Sequence, residues 1–205
     1  MVKWDVITFG NYNWQVLAIE DNRKALIITQ DILELRWYHN KFADITWADC
    51  ALRQYLNHEV YNTFSQDEKA RIIKVINKNF DNPWFNTTGG QDTTDHLFLL
   101  SLQEVCLYFG DSSAKLGNKS GQTWFIDDEN NGSRQAKYAT DFHWWRLRSP
   151  GYYGRTVASI NKNGHVYVRG NGVFGKPRDA GGVRPALWLW LDDQCSPGNE
   201  RSKEN

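Results

Sequence analysis

The strongest constraint on the fold is positional, because strand-forming sequence stands at both ends of the chain and helix-forming sequence stands between. Residues 14–20 (WQVLAIE) and 24–30 (KALIITQ) are apolar, β-branched runs separated only by Asp21, Asn22 and Arg23, the short polar break of a hairpin. Toward the other end, WWRLRS (144–149), TVASI (156–160), HVYVRG (165–170) and VRPALWLWL (183–191) read as strands. Asn163 and Gly164 favour the left-handed torsions of a tight turn between the middle two. Between these ends, Trp47, Leu52, Leu56 and Val60 recur at helical spacing with Thr46 as N-cap. Ser65 to Glu68 and Ser101 to Glu104 are S-x-x-E capping boxes. The first predicts a helix packing through Ile72, Ile73 and Ile76, and the second a short helix stopped at Gly110. His96 to Leu100 reads as one more short strand. The pattern is that of an α+β fold with about three helices.

The 205 residues, 40% of them hydrophobic, suffice for one sizeable core and not for two. A single domain over residues 1–192 is expected, with 193–205 as a polar tail that has little to bury. Residues 77–95 lose all periodicity around Pro83 and read as a long loop, a place where function concentrates. Residues 111–140 are polar and Gly-rich and read as an excursion away from the core.

Composition excludes several functions. Lys+Arg and Asp+Glu both number 24, so there is no basic excess to neutralise a phosphate backbone, and nucleic acid is not an expected partner. Cys50, Cys106 and Cys195 are odd in number and far apart, which fits reduced thiols better than a disulfide framework or zinc site. No window is long enough to span a bilayer and no signal peptide is visible, so a cytoplasmic location is expected, with export by another route as the alternative. His39, His58, His96, His143 and His165 stand in no G-x-S-x-G, H-E-x-x-H or P-loop context, and neither an enzyme nor a cofactor is expected. Asp92, Asp95, Asp127, Asp128 and Glu129 could supply oxygen ligands to calcium, but their spacing matches no EF-hand and they read as solvated turns.

Aromatic residues make up 14% of the chain, with 10 Trp, more than a minimal core requires. Most belong in that core; a few, where Tyr clusters beside Gly, suit a recognition face. The blocks FGNYNWQVLAIE (9–20), WWRLRSPG (144–151) and GGVRPALWLWL (181–191) resemble those of a widespread bacterial domain of unknown function. So do Trp47, Leu52, Arg53, Leu56 and Asn57 ahead of a Gly89–Asp95 loop. That domain is similar to C-type lectin-like proteins, which implies paired N- and C-terminal strands and a loop-rich C-terminal display face.

Some relatives are similar to the variable proteins of diversity-generating retroelements, whose C-terminal residues are rewritten at template adenines. The resemblance places such variation at residues 152–174. Tyr152, Tyr153, Gly154, Arg155, Ser159, His165, Tyr167, Arg169, Asn171 and Phe174 are all reachable from an adenine-altered AAC codon, whereas Lys162 is not. It implies a display protein that binds a protein or cell-surface glycan through those ten residues, without catalysis. The rival is a fixed structural or interaction module of a larger phage or envelope assembly. Sugar-binding C-type lectins carry Glu-Pro-Asn, Gln-Pro-Asp and Trp-Asn-Asp signatures that are missing here, Asn82-Pro83-Trp84 being a faint echo. Formylglycine-generating enzymes share the lectin-like fold, but their paired-cysteine copper site has no counterpart. Arg148 and Arg184, each beside a proline motif, read as structural pins to loop carbonyls or to Asp92 or Asp95.

Overall fold

The computed structural model describes residues 1–121, 123–176 and 180–191. The chain opens with strands β1 (Val6–Phe9), β2 (Tyr12–Glu20), β3 (Lys24–Thr29) and β4 (Glu34–Arg36). A helical stretch follows: a 3₁₀ turn at Trp47–Asp49, α1 (Ala51–Tyr55), a wider π-type turn over Leu56–Val60, a second 3₁₀ turn at Tyr61–Thr63, and α2 (Gln66–Arg71). Next come β5 (Ile72–Ile73), β6 (Val75–Asn77), β7 (Thr93–Asp95), α3 (Leu102–Tyr108), α4 (Ser113–Gly117), β8 (Phe125–Ile126), α5 (Asn131–Arg134), β9 (Ala136–Tyr138) and β10 (Asp141–His143). The last third is β11 (Trp145–Pro150), β12 (Thr156–Ile160), β13 (Val166–Gly172), β14 (Gly181–Val183) and β15 (Ala186–Trp190). The α+β class is as expected, but the helices among the described residues are five and short, where about three were expected.

Two larger sheets organise these elements, in the orders β1-β2-β3-β15-β5 and β4-β14-β11-β12-β13-β8. The β2–β3 hairpin turns at Asp21 and Asn22, both left-handed at φ +53°, the mirror-image turn whose twist suits the flanking strands. The first and last strands do not pair. β15 lies between β3 and β5, with Leu187 opposite Ile27 and Leu189 opposite Ile72, while β1 sits at the far edge. Burial explains the order: β3 is an almost wholly buried run that needs a neighbour on each side, whereas β1 is half exposed. Buried residues from both sheets join one hydrophobic cluster, with Trp14, Trp47, Trp145 and Tyr38 among its largest members. None of the described helices is long and apolar enough to cross a membrane.

Both capping boxes form, Ser65 with Glu68 and Ser101 with Glu104. The first helix ends sooner than its isoleucines suggest: Ile72 and Ile73 leave it to pair with β15, and Ile76 lies exposed on β6. β-branched side chains pack better on a pleated edge than in a last helical turn. Thr46 makes no side-chain cap. Cys50 Sγ accepts from the Arg53 N–H instead, because the true α-helical start is four residues later. Residues 97–100 are buried and His96 half-buried, but they form only one bridge, Phe98 to Ala186, rather than a strand. Of the turn at Asn163 and Gly164, only Gly164 is left-handed (φ +86°). The 111–140 region contributes Leu116, Ile126, Arg134 and Ala136 to the interior, so it is no mere excursion. The expected tail beyond Asp192, with Cys195, lies outside the described residues.

Polar pins tie the layers together. Arg148 is buried and pairs with Glu104, not with Asp92 or Asp95, and also donates to the carbonyls of Leu99 (2.8 Å) and Lys78 (3.3 Å). Among the described residues Arg184 forms no salt bridge: it donates to Thr29 O (2.8 Å), Gln30 O (3.1 Å) and Gln15 Oε1 (3.4 Å) and lies over the rings of Trp145 and Phe109. Burial pushes its pKa down to about 10, which still leaves it charged at neutral pH. Asp95 is held by Arg53 (2.6 Å) and Asp92 by Lys78 (2.5 Å). Arg184→Ala strands three acceptors beside a new cavity, so a loss of roughly 3 kcal/mol is expected, seen as a fall of about 6–12 °C in melting temperature; an unchanged melting curve would refute the pin. Cys50 and Cys106 are buried free thiols, each pushed up to about 12 by desolvation. Maleimide labelling followed by peptide mass analysis is expected to leave both unmodified until denaturant is added.

Candidate functional site

The C-terminal hairpin tip is braced through its backbone. The Gly151 N–H donates to Thr156 O (2.8 Å), the Tyr152 N–H to Arg169 O (2.8 Å) and the Thr156 N–H to Tyr153 O (2.9 Å). The β12–β13 ladder shifts register between Val157 and Ser159, and Gly170 opposite this bulge is left-handed (φ +78°). A Cβ on Gly170 would overlap the Val157 carbonyl, and one on Gly151 would overlap that of Arg169. Glycine at both positions therefore lets the tip approach β13 closely enough for the Tyr152–Arg169 hydrogen bond.

The long loop between β6 and β7 is brought to the same place by one buried side chain. Asn82 Nδ2 donates to Pro150 O (2.8 Å) and Val168 O (3.0 Å), while its Oδ1 accepts from the Trp84 N–H (2.9 Å). Trp84 Nε1 in turn donates to Leu116 O (2.8 Å), and Thr87 Oγ1 to Tyr152 O (3.0 Å).

The result is a ladder of rings interleaved with cations. Phe85 meets Tyr152 edge-on at 4.7 Å and Trp124 at 5.7 Å, and Tyr152 meets Tyr153 at 4.2 Å. Arg169 lies over Trp124 (5.0 Å) and Tyr152 (5.3 Å), Lys119 over Trp124 (4.7 Å) and Phe85 (4.8 Å), and Arg155 over Phe42 (5.5 Å) and Tyr153 (5.8 Å). Tyr152 is 36% exposed, Tyr153 51% and Phe42 58%, so the outer rungs face solvent. Asp44 stands against Gly154 at its margin. Such an array can grip by stacking, cation–π attraction and hydrogen bonding.

The ten residues singled out from the sequence do not form one patch. Tyr152, Tyr153, Arg155 and Arg169 meet in the ladder, with Gly154 in the same turn. Tyr167 stacks on Phe125 (4.6 Å), and His165 meets that ring edge-on and stands 3.5 Å from Asp127. Ser159 is fully buried (0%) and accepts from Asn171 Nδ2 at 2.8 Å, so it presents nothing to a ligand. Phe174 is separate, packed on Trp37 at 5.4 Å. Phe42, Phe85, Lys119 and Trp124 were missed, because they lie in loops whose approach only the folded chain reveals; the surplus of aromatic residues and the Asn82-Pro83-Trp84 triplet were the available signals.

Of the acids considered for calcium, Asp95 and Asp128 are engaged by several donors each. Asp95 accepts from Trp47, Asn77, Thr93 and Arg53. Asp128 accepts from Arg134, Ser112 and the Asn130 N–H. Burial raises the Asp128 pKa, but the Ser112 hydroxyl and the Arg134 charge outweigh it and hold the carboxyl below its usual range. Among the described residues no group of three or more His, Cys, Asp or Glu side chains is placed to hold a metal ion.

Over residues 22–191 the chain matches the family described as Domain of unknown function (DUF6273), and it belongs to that family. No curated protein and no solved structure matches it significantly.

The face thus rests on backbone geometry more than on its own side chains. Gly170→Ala is expected to cost at least about 2 kcal/mol in denaturant unfolding, from the left-handed torsion and the overlap with Val157, whereas Arg169→Ser costs about 1 kcal/mol or less. The reverse ranking would show that the cation, and not the bulge, holds the tip in place.

Proposed function

We propose that this protein is a non-catalytic binding protein that engages a protein ligand through the ladder around Tyr152. The observation that carries this reading is the alternation of Phe85, Trp124, Tyr152 and Tyr153 with Arg169, Lys119 and Arg155, held on a braced backbone. Tyr, Trp and Arg combine large contact area with little entropy to lose, and they dominate the energetics of protein interfaces. A cell-surface glycan is the other ligand class the same face could stack against.

The finer architecture assigned here is C-type lectin-like. It is supported by the return of the last strand to the N-terminal meander and by the gathering of the long loop onto the C-terminal hairpin. Within that reading residues 152–174 are the segment open to retroelement-driven variation, and Tyr152, Tyr153, Arg155 and Arg169 are its contact positions. The interior place of Ser159 removes that position from the set.

The test is affinity capture from extracts of the source cell and its neighbours, with the wild-type chain beside Tyr152→Ser/Tyr153→Ser/Arg169→Ser. Expected is a partner, identified by mass spectrometry, that the triple variant loses while its melting temperature falls by only a few degrees, roughly 1–2 kcal/mol. Equal capture by both proteins, or a variant that loses solubility or assembly instead, would favour a fixed packing module.

A further inference from the structure

We propose a second binding site, separate from the ladder, in the cleft between β8, β10 and the β12–β13 hairpin, and we assign to it a planar aromatic ligand that carries a carboxylate. The cleft encloses about 550 Å³ and is lined by Phe125, Phe142, His143, Trp144 and Tyr167 with Asn161, Lys162 and Asn171. That volume lies within the range of roughly 300–1,000 Å³ common to small-molecule sites, and so does the balance of many rings and few polar groups. None of the ladder residues lines it.

Four of the five rings are paired before any ligand arrives. Phe125 and Tyr167 are stacked at 4.6 Å with 18° between their planes, and His143 lies over Trp144 at 20° with its Nδ1 2.8 Å from Trp144 O. Trp144 is backed by the buried guanidinium of Arg146 at 4.8 Å, which also lies 5.6 Å from the ring of Trp37. A flat π-system meets edges and faces at settled positions here and loses little entropy to reorganisation of the wall.

The polar groups define the rest of the ligand. Asn161 Oδ1 accepts from the N–H groups of Asn163 (2.9 Å) and His165 (3.1 Å), which fixes the amide and leaves Nδ2 as a donor with no hydrogen bond among the described residues. Asn171 Nδ2 is committed to Ser159. Lys162 is exposed and is the one lysine or arginine among the described residues that line the cleft, and no carboxylate is among them. A ligand anion near Lys162 therefore meets a cation and an amide donor with no opposing acid. The apolar floor rejects a ligand that is charged throughout, so the anion belongs at one end of a ring.

The experiment is isothermal titration of the intact protein with indole-3-carboxylate, indole-3-carboxamide and cyclohexanecarboxylate, repeated on Lys162→Gln, Phe142→Ala and the ladder triple variant. Expected is saturable binding of indole-3-carboxylate, weakened about tenfold or more by the carboxamide, by the saturated ring, by Lys162→Gln and by Phe142→Ala. The ladder triple variant is expected to bind it as the wild type does, which separates this site from the protein-binding face. Lys162 and Phe142 are both exposed, and matching melting curves confirm that their variants stay folded. No saturable binding at millimolar ligand, equal binding of acid and amide, indifference to Lys162→Gln, or loss of binding in the ladder variant each overturns the proposal.

Discussion

The fold depends on a guanidinium group where strand β11 passes through the interior. All six residues of that strand are buried, and Arg148 is one of two arginines among them. Its side chain ties Glu104, the acid of the α3 capping box, to Leu99, Lys78 and Asn79, while its own carbonyl accepts from the Tyr38 hydroxyl at 3.1 Å. Three stretches of chain distant from one another in sequence, around Tyr38, Lys78 and Leu99–Glu104, thus converge on one residue. A single apolar side chain could fill the space but could not fix the direction of approach of each stretch. Fork geometry can, because five donors point along set lines.

The same logic recurs wherever a loop has to be ordered. Asp95 collects Trp47 from the first 3₁₀ turn, Arg53 from α1 and Asn77 and Thr93 from the strands that bracket the long loop, and Asn57 holds the next residues by accepting from the His96 N–H (2.8 Å) and donating to Leu97 O (2.8 Å). Asn82 does the same for the loop's interior. Buried polar groups are costly unless paired, so each such anchor tolerates few alternative arrangements of its neighbours. Between the anchors the loop is free to carry Trp84 and Phe85 to the surface, and so a stretch without periodicity becomes part of a defined face.

How much of this could be read from the sequence depended on how local its cause was. The Asp21–Asn22 turn and both S-x-x-E caps are decided by residues at most three apart, and they form as expected. Strands β11, β12 and β13 also follow from their own β-branched and aromatic runs, whereas the single strand expected over 183–191 breaks at Arg184 and Pro185 into the end of β14 and β15, which join different sheets. Ile72 and Ile73 obey a distant partner instead: β15 supplies an edge to pair with, and tertiary pairing overrides the helical spacing. Arg148 and Arg184 were legible as pins, but not their partners, since Glu104 and the Thr29 carbonyl adjoin them only after folding. The candidate site was half legible for the same reason. Tyr152, Tyr153 and Arg155 share the β11–β12 turn with Arg169 one strand further on, and they announce themselves together, whereas Phe42, Phe85 and Trp124 arrive on separate loops.

The position of β15 has a consequence for how the chain is made. Its neighbours β3 and β5 leave the ribosome long before it does, and until it inserts between them each offers an unpaired edge of apolar residues. Such edges are templates for pairing with other chains, and closure by so distant a segment is slow because a long loop must first be confined. The nascent protein therefore spends its synthesis with its first sheet open down the middle, and its yield in a cell depends on what shields that seam until the last strand arrives.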